Sequence, residues 1–317
     1  MALASPLPVT TCPQCHLDVP SGSHYCPNCG FTIAPSGRYR LRDRTWWKVL
    51  LLGLALYYVD MKSLAAYGNP NFVPTVLVLG GFLVPVTFVI FLYERGALYD
   101  VPLTTVALTF FYGGVLGTLG AQFLEAELVG GPILFSVLAV GFSEELAKLL
   151  GVVWLLRRRA FATELHGLVL GAAAGMGFAA FESMGYGFTF LLQSHGDLGL
   201  LGEVLVTRGL LSPLAHGTWT AIIAGVLWRE RAAGHGWFNG KVIRAFIIAI
   251  VLHALWDLTA GLVPIDLPGL EFHWRAVDLA VPALSLPLPG LILGFLGLWI
   301  LRRLFRESRA TVVTGTA

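Results

Sequence analysis

The sequence is poor in charged residues: only 13% of its 317 residues are Asp, Glu, Lys or Arg, against about 25% in an ordinary soluble domain. This scarcity excludes a single soluble globule. The 21 basic and 19 acidic residues nearly cancel, so the net charge gives no reason to expect a nucleic-acid partner. The first residues also lack the basic start and apolar run of a cleavable signal peptide, and we expect the N-terminus to be retained.

Hydrophobic residues, in contrast, make up 56% of the chain, and the mean hydropathy is +0.73. Runs of about 20 mostly apolar residues predict membrane-spanning helices. The fifth run carries Gly167, Gly171 and Gly175 on one face, which predicts close packing of a neighbouring helix. The predicted fold class is an all-α polytopic membrane protein with about eight transmembrane helices. The runs lie at 46–67, 72–93, 101–121, 131–156, 165–191, 204–228, 242–262 and 282–301.

The positions of the basic residues predict the topology. With eight spans and a cytosolic N-terminus, most Lys and Arg side chains fall in cytosolic segments, as the positive-inside rule requires. We therefore expect an integral protein of the cell membrane with both termini in the cytosol. Its transmembrane domain would cover 46–305, and a cytosolic tail would cover 306–317.

All four cysteines lie in the first 29 residues, as the pairs Cys12 and Cys15, then Cys26 and Cys29. Two C-x2-C turns supply four thiolates for a closed tetrahedral site, which predicts structural zinc. A pair of disulfides is the alternative, but it requires an oxidising compartment, and the predicted topology places this end in the cytosol. We expect residues 1–32 to form a zinc ribbon that binds a cytosolic protein partner. The basic linker that follows, 33–45, would meet anionic lipid.

Several ionisable side chains fall inside the predicted spans, where they are costly unless they face a partner or a wet cavity. Their spacing offers partners on the same helix face at i+3 and i+4. They also fall at similar depths, so one polar cavity within the membrane is expected to contain them. These residues are Glu144, Glu145, Lys148, Glu182, His216, His253 and Asp257.

This combination of side chains predicts hydrolysis of a peptide bond. Adjacent carboxylates in a low-dielectric site repel each other, so one can act as a base while its neighbour acts as an acid. Two histidines with further carboxylates can hold a divalent metal, or they can donate hydrogen bonds to a developing oxyanion. Two alternatives use the same residues differently: an ion-coupled transporter, and a non-catalytic sensor or scaffold that acts through the zinc ribbon.

The polar motifs resemble those of the PrsW family of intramembrane proteases, itself distantly similar to the CAAX prenyl endopeptidases. They are EELAK at 144–148, FESMGY at 181–186, the helix of His216 and HALWD at 253–257. The resemblance covers about residues 46 to 305. It implies a helical protease that cleaves membrane-anchored proteins in the lipid bilayer, with anti-sigma factors as substrates of the best-known members.

The resemblance also implies roles for single residues. Glu144 and Glu145 match the paired catalytic glutamates of the family, Lys148 matches the accompanying basic residue, and Glu182 matches the glutamate of the second motif. The remaining polar positions are matched by His216, His253 and Asp257.

A working mechanism follows from this match. Glu145 acts as general base on water, Glu144 relays the proton, and Lys148 tunes the acidity of both. Asp257 orients His253 from the next helical turn. His216 and His253 either stabilise the oxyanion or, with Glu145 and Glu182, ligate a catalytic divalent metal, for which zinc is expected. The H-E-x-x-H signature of soluble metalloproteases is absent, and both metal-dependent and metal-free catalysis stay open.

Overall fold

The computed structural model describes residues 9–12, 14–20, 26, 44–96, 101–156, 163–260, 264–265 and 286–314. Two short antiparallel strands, β1 (Val9–Thr11) and β2 (Asp18–Pro20), precede the helices. A second antiparallel pair joins β3 (Pro264–Ile265) to β4 (Leu286–Pro287). The helices are α1 (Thr45–Tyr67), α2 (Val73–Gly96), α3 (Leu103–Leu128), α4 (Ile133–Leu156), α5 (Glu164–Gln193), α6 (Leu198–Leu211), α7 (His216–Ala232), α8 (Gly240–Ala260) and α9 (Leu288–Thr314).

Within the described part of the chain, five helical stretches are long and apolar enough to cross a membrane. They are Thr45–Tyr67, Pro70–Arg95, Leu103–Leu128, Glu164–Gln193 and Leu198–Ala232. The predicted class, a mostly helical integral membrane protein, is therefore confirmed. The count of eight spans and the cytosolic location of both ends stay predictions.

The predicted run at 204–228 is not one continuous helix. Helix α6 ends at Leu211, a 3-10 turn follows over Ser212–Leu214, and α7 begins at His216. Pro213 has no backbone N–H to continue the α-helical hydrogen bonding, and Ala215 has φ −106° and ψ −102°, which is not helical. The break places His216 at the first residue of a new helix.

Helix α5 forms the centre of the bundle, and every residue from Leu165 to Ala180 is buried. The prediction of close packing on its glycine face is confirmed. A Cβ added at Gly171 would lie 2.8 Å from the Thr220 carbonyl oxygen, and one at Gly175 would meet the His216 carbonyl oxygen. The absent side chains let α7 approach to backbone contact, which fixes His216 and Thr220 against α5.

Candidate active site

Helix α4 presents two glutamates and a lysine to the interior of the bundle. Lys148 Nζ donates to Glu144 Oε2 at 2.9 Å and to Glu145 Oε1 at 3.0 Å. Lys148 and Glu145 are fully buried, and the Phe178 ring covers the ammonium at 4.0 Å from its centroid. Removing one partner of such a pair leaves an uncompensated buried charge. The charged forms of these three side chains therefore stabilise one another.

The two histidines come from different helices, and their contacts define their tautomers. Lys148 Nζ lies 2.9 Å from His216 Nδ1. An ammonium can only donate, so Nδ1 carries the lone pair and Nε2 the hydrogen. His253 is the reverse case, since its Nδ1 lies 3.0 Å from Glu145 Oε1 and donates to that carboxylate. In the neutral form of His253 the lone pair is then on Nε2.

Three potential metal ligands lie close together around these two rings. His253 Nε2 lies 3.4 Å and His216 Nδ1 3.6 Å from Glu144 Oε2. Ligand atoms of the three residues all lie within 4.8 Å of one another, and all three residues are buried. Two imidazoles and one carboxylate are a ligand set typical of catalytic zinc, and the Glu145 bond to His253 is the outer-shell carboxylate contact that such histidines make.

The carboxylate side chains of the site differ in their exposure. The Glu145 side chain is 0% exposed and that of Glu144 7%, whereas Asp257 is 32% exposed. Asp257 Oδ2 lies 3.6 Å from His253 Nε2, on the same side of the ring as Glu144. Glu145 is closed on every side, because its other oxygen accepts a hydrogen bond from Thr220 Oγ1 at 3.1 Å.

The structure joins all seven residues singled out in the sequence into one network of contacts. Glu182 enters it through its Oε2, which lies 3.1 Å from His216 Nε2. The group that could hold a metal contains Glu144, whereas the sequence suggested Glu145 and Glu182 beside the histidines. The catalytic roles of these residues stay predictions.

Sequence reasoning missed two members of the network. Arg208, which was not among the seven residues singled out, has its Nη2 2.7 Å from Glu182 Oε2. Its charge inside an apolar helix was the signal that could have found it. Thr220 had a weaker signal, because it lies four residues after His216 and so on the same face of α7.

The cysteines near the N-terminus form a second candidate metal site. Ligand atoms of Cys12, Cys15 and Cys26 lie within 4.8 Å of one another. Cys15 Sγ and Cys26 Sγ are 3.6 Å apart, close to the separation of about 3.8 Å that two thiolates have when each is about 2.3 Å from a tetrahedral zinc. The cluster fits the predicted zinc ribbon, whose fourth cysteine, Cys29, lies outside the described residues, as does most of the 33–45 linker.

A family model, described as PrsW family intramembrane metalloprotease, matches residues 79–284. The matched range contains the whole network around Lys148. No curated protein sequence and no solved structure matches the chain.

Proposed function

This chain belongs to the PrsW family of intramembrane metalloproteases, and from that premise we propose that its endopeptidase chemistry takes place at Glu144, His216 and His253. The substrates of an intramembrane endopeptidase are proteins embedded in the lipid bilayer. The convergence of three buried ligand atoms from three helices carries the proposal. The family match also supports a protease over the transporter and scaffold alternatives.

Zinc is the metal we assign to this cluster. Glu144 Oε2, His216 Nδ1 and His253 Nε2 would hold it, because each presents a lone pair toward the others. Binding there would replace the Lys148 contacts to Glu144 and His216 and leave its contact to Glu145. A divalent metal at this position supplies a Lewis acid for the scissile carbonyl.

The geometry favours exchanging the roles that the sequence suggested for Glu145 and Asp257. Glu145 holds His253 by its Nδ1–H and pairs with Lys148, while all its partners are buried. It acts as a positioning residue that fixes the His253 tautomer. Asp257 is open to the outside beside His253 Nε2, so it is the carboxylate placed to take the proton from the attacking water.

A reconstituted cleavage assay tests the proposal. The full-length protein is incorporated into liposomes with a panel of single-span membrane proteins, with and without a strong chelator. We expect cleavage by the wild type, and its loss on chelation and in Glu144→Gln. Cleavage that survives chelation but is lost in Glu145→Gln would overturn the metal-dependent assignment in favour of a glutamate mechanism.

The ribbon requires its own control, because a chelator also strips metal from thiolates. We assign zinc to Cys12, Cys15, Cys26 and Cys29 as well. A Cys12→Ser, Cys15→Ser protein is expected to cleave like the wild type and to stay sensitive to chelation. Insensitivity of that variant would place the chelator effect in the ribbon. The cytosolic partner of the ribbon and anti-sigma-factor substrates stay predictions.

A further inference from the structure

Arg208 extends the active-site network beyond the seven residues singled out in the sequence. It lies on α6, before the 3-10 turn that leads to His216, and its guanidinium packs over the Tyr186 ring with Cζ 4.1 Å from the centroid. Its Nη2 lies 2.7 Å from Glu182 Oε2. The same oxygen lies 3.1 Å from His216 Nε2. Glu182 on α5 therefore links Arg208 to the first residue of α7.

The contact matters because of the tautomer that His216 must adopt. Lys148 Nζ donates to His216 Nδ1 from one side of the ring, and Glu182 Oε2, which as a carboxylate oxygen can only accept, faces Nε2 from the other side. Both contacts favour the hydrogen on Nε2. Because a metal would replace the Lys148 contact, Glu182 is the group that would keep this tautomer in the loaded site. The lone pair of His216 then stays on Nδ1, which faces Glu144 Oε2 at 3.6 Å. With the other tautomer, Nδ1 would present a hydrogen to Glu144, and His216 would have no lone pair for a metal on that side.

Arg208 determines where the Glu182 carboxylate can point. Without a cation on Oε2, the glutamate can turn toward other donors, among which Lys148 carries a full charge. Arg208 Nη2 and His216 Nε2 both lie within ion-pair distance of Glu182 Oε2, so the arginine holds this oxygen at the position where it faces His216.

We propose that Arg208 is a positioning residue of the active site, which fixes Glu182 so that His216 keeps its hydrogen on Nε2 and its lone pair turned toward Glu144. The use of that lone pair for metal binding rests on the proposed function. The contact of Glu182 with His216 Nε2 does not, and it can be measured without any metal or substrate.

The test compares three full-length variants with the wild type in lipid nanodiscs. Arg208→Met removes the charge and keeps an unbranched side chain that a membrane helix tolerates, and Arg208→Gln is the second choice if the methionine protein does not fold. Arg208→Lys restores the charge. The matched control is Glu203→Gln, a charge removal five residues earlier on α6.

Two measurements report on position without relying on activity. Nitrogen NMR of the metal-free protein gives the protonated ring nitrogen of His216, whose signals are those lost in His216→Gln. Cobalt titration gives the affinity of the histidine and carboxylate site. Thiolate-to-cobalt charge-transfer bands report the cysteine site separately and serve as an internal standard.

We expect Arg208→Met to change the nitrogen chemical shift of His216 Nε2, because Glu182 is no longer held beside it, and to weaken cobalt binding about tenfold, the lower end of the range for outer-shell partners of metal ligands. The thiolate bands stay unchanged. In the cleavage assay kcat falls while KM stays constant. Arg208→Lys recovers most of each effect, and Glu203→Gln behaves like the wild type.

An unchanged His216 Nε2 signal together with unchanged cobalt affinity in Arg208→Met overturns the proposal, even if cleavage is lost. Failure of the proposed function looks different. In that case the wild type cleaves nothing and binds no cobalt at the histidines, while the His216 Nε2 signal still changes in Arg208→Met, which leaves the positioning role standing.

Discussion

Two buried glutamates, Glu145 and Glu230, occupy opposite kinds of surroundings. Glu145 pairs with Lys148 and His253, which are themselves buried. Glu230, near the end of α7, accepts from His235 and Lys241, whose side chains are 55% and 66% exposed. Both carboxylates are satisfied, but only one of them has all its partners away from solvent.

The difference shows that burial of a carboxylate does not by itself mark a functional site. The contacts of Glu230 hold the loop after α7 to the start of α8, and its partners reach solvent, where ion pairs contribute little. Around Glu145, one of the partners can still bind a ligand, because Nε2 of His253 faces Glu144. A functional site is recognised by polar groups that can still bind a metal or substrate after the charges are paired.

The largest expected effect is on the ligand set. Glu144→Gln removes the charged oxygen on which Lys148, His216 and His253 converge, and we expect kcat/KM to fall about 1,000-fold, equivalent to about 4 kcal/mol of lost transition-state stabilisation. The measurement is single-turnover cleavage in liposomes. Wild-type rates in this variant would show that the convergence has no catalytic meaning.

Glu145→Gln tests the glutamate whose partners are all buried. Because it leaves the buried Lys148 ammonium with one carboxylate fewer, we expect a loss of about 3 kcal/mol in the free energy of unfolding along with lost activity. Denaturant titration in mixed micelles measures it. A protein as stable as the wild type but inactive would restore Glu145 as the general base.

Asp257→Asn tests the more exposed carboxylate beside His253. If Asp257 accepts the proton from water, kcat falls about 100-fold, with unchanged cobalt affinity and unchanged stability because Asp257 lies outside the three-ligand cluster. Kinetics and cobalt titration are run on the same preparation. A weakened cobalt site with a normal kcat would instead return Asp257 to the orienting role.

A glycine pair on α5 tests the scaffold of the site. A Cβ at Gly175 would meet the His216 carbonyl oxygen, whereas among the described residues nothing lies within 4 Å of one at Gly185. We expect Gly175→Ala to cost about 2 kcal/mol of stability by overpacking and to lower cleavage by displacing His216. Gly185→Ala is the matched control, and equal unfolding curves for the two would refute close packing at Gly175.

The smallest effect is expected at Glu230. Glu230→Gln keeps the shape of the side chain and loses ion pairs whose cations are largely solvated. Stability should fall by about 1 kcal/mol or less, and kcat/KM should not change. A loss of activity at constant stability would mean that the ion pairs at the end of α7 affect the active site.

The sequence singled out the polar residues that the structure brings together, because ionisable residues inside apolar runs are conspicuous. Each of the seven residues singled out, from Glu144 to Asp257, joins the network. The break between α6 and α7 was missed, because an apolar run of sufficient length reads as one helix even where Pro213 interrupts it. Arg208 was missed because a charge near the end of a run reads as an interfacial anchor.

What the sequence alone determined is the membrane class, the set of ionisable residues and the glycine face of α5. These follow from local composition and from helical periodicity, which any short stretch of chain reveals. The tertiary structure decided which nitrogen of each histidine has the lone pair, that Glu144 rather than Glu145 joins them, and that Arg208 reaches Glu182. Those outcomes depend on distances between atoms of different helices, and only the packing of α4, α5, α6, α7 and α8 fixes such distances.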